Sequence, residues 1–241
     1  MEGVAADRST APLSSAAPGL PRRLVVCGTD TDVGKTLVSA WLVQGLQARY
    51  WKPVQSGLEG GGDSGRMQAL LQLLPERLLP EAYRLQQPVS PHWAAEQEGL
   101  TIEPDRLQLP AGEDALVVET AGGLLVPLRR DWLQIEQLQR WGLPVLLVAR
   151  SGLGTLNHTL LSLEALQRRQ IPVLGLVLNG PLHADNPRTL EELGGVPVLA
   201  QLPWLEASDA PALAALLAQQ WQLQGMERHW PPATDPTAAA I

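Results

Sequence analysis

Residues Gly28 to Thr36 read GTDTDVGKT and lie between the apolar run RLVVCG (23–28) and the helical pattern TLVSAWLVQGLQARY (36–50). A strand, a glycine-bounded loop ending in GKT, and a helix together form the context of a phosphate-binding loop. Each part has a physical task. Backbone N–H groups of Asp32, Val33 and Gly34 and the helix N-terminus cradle a polyphosphate, Lys35 reaches its terminal groups, and the Thr36 hydroxyl suits Mg²⁺. Gly28 and Gly34 enclose five residues, where the general pattern has four.

Outward from this loop, short apolar runs recur: YWKPV (50–54), ALVVET (115–120), PVLLVA (144–149), VLGLVLN (173–179) and VPVLAQLP (196–203). Continuous runs of this length predict strands buried on both faces. Between them, TLNHTLLSLEALQRRQ and APALAALLAQQWQLQ carry apolar residues at three-to-four spacing, which predicts helices. The alternation predicts one α/β domain over 22–224, a mostly parallel sheet with helices on both faces. The stretch 57–113 is the least regular and predicts loops around short helices. Composition predicts disordered tails at 1–21 and 225–241, with no signal-peptide pattern at the start.

The chain has 241 residues and a net charge of −7, which argues against nucleic acid or an anionic membrane as partner. No apolar run approaches about 18 residues, so no membrane-spanning helix is predicted. Cys27 is the only cysteine, which forbids an intrachain disulfide and fits a cytoplasmic setting. Eight tryptophans stand against no phenylalanine, and Trp41, Trp132, Trp141 and Trp221 fall in helical apolar patterns that predict packing roles. Lysine occurs only at Lys35 and Lys52, every other base being arginine, so these two are candidates for sites needing a compact ammonium.

Five strings in order, GTDTDVGKT, KPVQSG (52–57), VSPHWAAEQEG (89–99), VETAGG (118–123) and LPWL (202–205), resemble the dethiobiotin synthase family over about residues 22–220. The five-residue loop is that family's own form. The resemblance implies closure of the ureido ring of dethiobiotin from 7,8-diaminopelargonic acid, CO2 and ATP, with Mg²⁺, through a carbamate and a carbamic-phosphoric mixed anhydride. It also implies a homodimer with substrate at the interface.

Under that resemblance, Lys35 and Lys52 become the catalytic lysines, the first on the β and γ phosphates and the second on the carbamate and transferred phosphoryl group. Thr36, Asp63 and Glu119 match the metal-ligand set. Asp63, in GLEGGGDSG, also fits an ordinary turn residue. Asn179 resembles a purine-reading amide, with Pro203, Trp204 and Leu205 flanking the base, although an Asn at a strand end also fits a turn. Thr31 and Ser56 match substrate-side hydroxyls and equally fit turn stabilisation. Gly154, Thr155, Leu156 and Asn157 open a helix whose free N–H groups would hold the substrate carboxylate. The chain departs from the family at Thr120, where a glycine is frequent, at Asp32, where Glu is common, and in NPRTLEEL, which lacks a tyrosine. His92 and His158 have no Ser or Cys partner motif and receive no chemistry.

Two rivals share the loop. A glutamine-dependent amidoligase needs a cysteine nucleophile, and Cys27 lies inside the first strand. A partition-type regulatory ATPase acting through a protein partner carries a second lysine early in its loop, and Asp30 stands there instead.

Overall fold

Along β1 (Arg23–Gly28), Leu24 and Val26 face one apolar layer while Val25 and Cys27 face the other, and all four are sealed from solvent. That two-sided burial is what the uninterrupted apolar run requires. The computed structural model describes residues 19–230; the expected tail segments 1–18 and 231–241 lie outside the described residues. After β1 come α1 (Lys35–Leu46), β2 (Arg49–Trp51), β3 (Val54–Ser56), α2 (Gly62–Leu71), β4 (Leu78–Leu79), β5 (Tyr83–Leu85) and α3 (Pro91–Gln97). They are followed by β6 (Leu116–Gly123), β7 (Pro127–Arg129), β8 (Trp132–Leu133), α4 (Gln134–Trp141), β9 (Val145–Arg150), α5 (Thr155–Arg168), β10 (Val173–Asn179), α6 (Asn186–Gly194), β11 (Val198–Leu202) and α7 (Ala210–Leu223).

Seven strands form one sheet in the order β11-β10-β9-β1-β6-β2-β4, with every pairing parallel. Helices α1, α2 and α7 bury Trp41, Met67 and Leu217 against one face, and α4, α5 and α6 bury Ile135, Leu166 and Leu190 against the other. The chain moves outward in opposite directions from β1, so the carboxyl ends of β1 and its neighbours open a crevice where ligands of such sheets sit.

Two strands differ from their sequence reading, and both differences shape the crevice. YWKPV does not run as one strand: β2 ends at Trp51 and β3 pairs with β5 in a separate small sheet. Pro53 has no N–H for a ladder, and its carbonyl instead accepts from Ala82 and Tyr83. Lys52 is therefore released just past the carboxyl end of β2, on the side of the crevice. ALVVET continues to Gly123, and between Val26↔Glu119 and Gly28↔Gly123 the strand β6 gains residues over β1. Such a bulge re-aims side chains next to a site.

Residues 225–230, expected in the C-terminal tail, are folded. Met226–Arg228 form a short 3-10 turn, and Trp230, only 3% exposed, lies 6.1 Å from the Trp221 ring, which in turn meets Trp41 edge-on at 5.3 Å. The Trp230 indole donates to the Pro21 carbonyl at 3.0 Å, and Leu20 N–H donates to His229 O at 2.8 Å. Apolar burial of a ring this large outweighs a polar composition that reads as tail.

Candidate active site

Gly34 opens α1 in the left-handed conformation (φ 97°), and a Cβ there would overlap the Asn179 side-chain amide. Glycine is required on both counts. The loop before it folds back on itself: Lys35 Nζ donates to the Asp30 carbonyl at 2.7 Å, and the Asp30 side chain accepts from Thr31 N–H at 2.7 Å. Arg150, at the end of β9, reaches Asp30 Oδ2 at 3.4 Å and the Thr31 carbonyl at 3.3 Å. Asp32 holds a positive φ of 56°, which the short side chain tolerates better than most.

Beyond the loop, four side chains converge, from α1, α2, β6 and the link between β2 and β3. Thr36 Oγ1 from α1 donates within reach of Asp63 Oδ1 (3.0 Å) and Glu119 Oε1 (2.9 Å). Lys52 Nζ lies 2.7 Å from Asp63 Oδ2, 3.0 Å from Glu119 Oε1 and 3.0 Å from the Thr120 carbonyl, so all three of its donors are engaged. Asp63 is held in place by its own N–H, which donates to Gln55 Oε1 at 3.0 Å. Tyr50 OH donates to the other Glu119 oxygen at 2.9 Å.

The charges shift one another. Burial alone would lower Lys52, but the Glu119 and Asp63 carboxylates outweigh it and hold the ammonium above its ordinary range. Burial, and then the nearby Lys52 charge, depress Lys35. Burial would raise Asp63, yet Lys52 and the Thr36 hydroxyl pull its carboxyl below the usual range. A cationic pair in a crevice with carboxylates beneath it is arranged to receive phosphate.

These groups face a cavity of about 1100 Å³ lined by Thr31, Asp32, Gly34, Lys35, Thr36, Lys52, Ser56, Asp63 and Glu119, with Leu205 at one end. Ser56 Oγ is buried there without a hydrogen-bond partner. Among the described residues no three His, Cys, Asp or Glu side chains gather as a metal cage. One hydroxyl and two carboxylates instead fit a small hard cation that keeps water and phosphate oxygens, as Mg²⁺ does.

Asn179 Nδ2 donates to the Val33 carbonyl at 3.1 Å, its Oδ1 is buried without a partner, and the residue is not part of the cavity lining. Pro203 and Trp204 lie outside the cavity lining, and Trp204 is 74% exposed. Gly154, Thr155, Leu156 and Asn157 do open α5, with Gly154 left-handed at φ 90°, but none of them lines the cavity of the single chain.

Residues 22–212 match the AAA domain family. The chain is 52% identical over 193 residues to the ATP-dependent dethiobiotin synthetase BioD of Rhodopseudomonas palustris (strain BisB18), covering 80% of this chain and 92% of that protein. The chain belongs to the dethiobiotin synthetase family. A second relative, the biotin biosynthesis bifunctional protein BioCD of Bordetella avium (strain 197N), is 55% identical over 194 residues, 80% of this chain and 42% of that protein. Among solved structures, a ParA family ATPase from Chlorobium tepidum TLS superposes with a TM-score of 0.53 at 13% identity, over 84% of this chain and 98% of that one, a likeness of fold alone.

Three contributors to the site, Tyr50, Gln55 and Arg150, carry no motif of their own in the sequence. Tyr50 precedes Lys52 by two residues, the strand period that puts both on one face, and that spacing was the available signal. Gln55 and Arg150 act through folding of distant segments and left no local pattern. Thr120, at a position often glycine, is fully buried in β6 with Oγ1 3.4 Å from the Val26 carbonyl; its φ is negative, so the strand accepts the side chain.

Proposed function

We propose that this crevice is where the chain, an ATP-dependent ligase of biotin biosynthesis, closes the ureido ring of dethiobiotin from 7,8-diaminopelargonic acid and CO2. The observation that carries the reading is Lys52: a buried ammonium at a strand end, 2.7 Å from Asp63 and 3.0 Å from Glu119, opposite the phosphate loop. In the chemistry, one substrate amine adds to CO2 and loses a proton to become a carbamate. A carbamate oxygen attacks the γ-phosphorus and ADP leaves. The second amine attacks the carbamoyl carbon, phosphate leaves, and the ring is closed as that nitrogen gives up its proton.

Negative charge gathers on phosphoryl and carbamate oxygens throughout, so positioned cations and N–H donors do most of the work. Lys35 and the amides of Asp32, Val33 and Gly34 bind the β and γ phosphates. Lys52 orients the carbamate toward the γ-phosphorus and follows the phosphoryl group as it moves. Thr31 and the unpartnered Ser56 hydroxyl donate to the carbamate, which fixes its plane. Thr36, Asp63 and Glu119 would hold Mg²⁺, which supplies neutralising charge on the phosphates when bound. Asn179 reads the purine from its free Oδ1, with Leu205 against the base and Pro203 and Trp204 beside it.

In this reading the substrate carboxylate is held by the free N–H groups of Gly154, Thr155, Leu156 and Asn157 from a second copy, and the working unit is a homodimer. The protein acts in the cytoplasm on small molecules, with no nucleic-acid or membrane partner; no described helix is long and apolar enough to cross a membrane. The test is isotopic: purified protein with ATP, Mg²⁺, 7,8-diaminopelargonic acid and ¹³C-bicarbonate, with products analysed by mass spectrometry. Dethiobiotin one mass unit heavier supports the reading. Diamine recovered unchanged while ATP is hydrolysed would sink it.

A further inference from the structure

Glu119 has two oxygens with separate duties. Oε1 faces the crevice, taking Thr36 Oγ1 at 2.9 Å and Lys52 Nζ at 3.0 Å, while Oε2 points back into the protein and takes only the Tyr50 hydroxyl, at 2.9 Å. Tyr50 is 0% exposed and Glu119 1%, so no water competes for this bond. The geometry follows from the strands. Arg49, Tyr50 and Trp51 pair with Leu116, Val117 and Val118 on β6, which brings the Tyr50 side chain alongside β6 just short of Glu119. Tyr50 and Val117 share one apolar layer, whereas Trp51 and Val118 share the opposite one, and Glu119 follows Val117 by the strand period of two.

From this we infer that Tyr50 is the positioning residue for the metal-side carboxylate: its hydroxyl fixes Glu119 Oε2 and thereby aims Oε1 at the place where Thr36 and Asp63 converge. The inference rests on the proposed role of Glu119 in holding Mg²⁺. A free carboxylate rotates about its last bond and can present either oxygen, or both. Tyr50 removes that freedom. Aliphatic packing around the ring does not depend on the hydroxyl, so the oxygen has a task beyond filling the core. Partners that orient a metal ligand are worth about 10–100-fold in metal affinity.

The experiment is ADP binding by calorimetry across a titration of MgCl2, and in EDTA, for wild type, Tyr50→Phe, Glu119→Gln and the double variant. Phe keeps the ring and removes only the hydroxyl. The expected result for Tyr50→Phe is a Mg²⁺ midpoint raised about tenfold, by the same orienting effect, with ADP affinity in EDTA unchanged. Added to Glu119→Gln, Tyr50→Phe should raise the midpoint no further, because the oriented carboxylate is already gone. A wild-type midpoint in Tyr50→Phe, or a full effect in the Glu119→Gln background, would overturn the role of Tyr50 alone. ADP binding by wild type that ignores Mg²⁺, or a wild-type midpoint in Glu119→Gln, would overturn the metal reading beneath it.

Discussion

Lys52 Nζ sits 3.0 Å from Glu119 Oε1 with both side chains almost wholly withdrawn from solvent, 4% and 1% exposed. A buried pair of this kind is poor evidence for stability, because desolvation offsets most of the attraction, and good evidence for a task. Lys52→Gln should lower turnover by about 10²–10³, the scale of losing a preorganised transition-state donor. ADP and ATP affinity should stay near wild type, since in the proposed function the nucleotide is held by Lys35 and the loop amides. Single-turnover kinetics beside equilibrium nucleotide binding checks this. Lost binding with normal residual chemistry would remove Lys52 from its role.

Acid should expose the Asp63 contribution. Burial works against its charge, but Lys52 and Thr36 hold the folded-state carboxyl below its ordinary range. A depressed carboxyl stabilises the fold above the unfolded value of about 4 and loses that contribution as pH falls through the folded value. Lys52 is raised, so its contribution is complete below the unfolded lysine value of about 10.4 and is lost as pH climbs through the folded one. Urea midpoints for wild type and Asp63→Asn should differ at neutral pH and converge in acid. A gap that persists unchanged to the most acid conditions would contradict the assignment.

Gly45 in α1 gives a test of sign. Gly→Ala in a helix interior ordinarily stabilises by about 1 kcal/mol. Here a Cβ would collide with the Trp221 ring, which is wedged against Trp41. Gly45→Ala should therefore destabilise, by about 1–3 kcal/mol as overpacked cores do. Chemical denaturation measures it, and a more stable variant would show that α7 packs less tightly than described.

Trp230 closes the same cluster and ties Pro21 to the far end of the chain. Trp230→Ala should cost about 3–5 kcal/mol, the range for truncating a buried large aromatic. KM values of the folded enzyme should not move, because the ring is not part of the cavity lining. Thermal unfolding alongside steady-state kinetics separates the two effects.

Asn179 commits its Nδ2 to the Val33 carbonyl and leaves Oδ1 as an acceptor. An acceptor suits the exocyclic amine of adenine and opposes the carbonyl of guanine. Asn179→Ala should raise the KM for ATP about tenfold, by loss of a hydrogen bond worth about 1.5 kcal/mol, and narrow the ATP-to-GTP preference. Equal nucleotide preference in wild type and variant would contradict the purine contact.

What could be read from the sequence was what local spacing encodes. The phosphate loop is legible through Gly28, Gly34, Lys35 and Thr36 between a buried run and a helical pattern, and the alternation of runs implies the parallel sheet. Lys52 stood out because the chain has only two lysines. Geometry made by non-local pairing was not legible. The split at Pro53, the bulge that carries β6 on to Gly123, and the Trp230 contact with Pro21 all depend on partners far away in the chain. The α5 start shows the same limit: its residues were readable as a helix opening, while their distance from the cavity is a property of the folded chain. Asp63 is ambiguous in sequence because it follows three consecutive glycines, and only the folded loop places it 2.7 Å from Lys52.

The account turns on one coupling, that ATP is split only when a carbamate lies against Lys52. The most direct measurement is phosphate release from ATP with Mg²⁺ and bicarbonate, with and without 7,8-diaminopelargonic acid, in wild type and Lys52→Gln. The account predicts release that requires the diamine in wild type and collapses in the variant. Release indifferent to the diamine would contradict it and would bring forward a switch ATPase, despite Asp30 at the position of that class's second lysine.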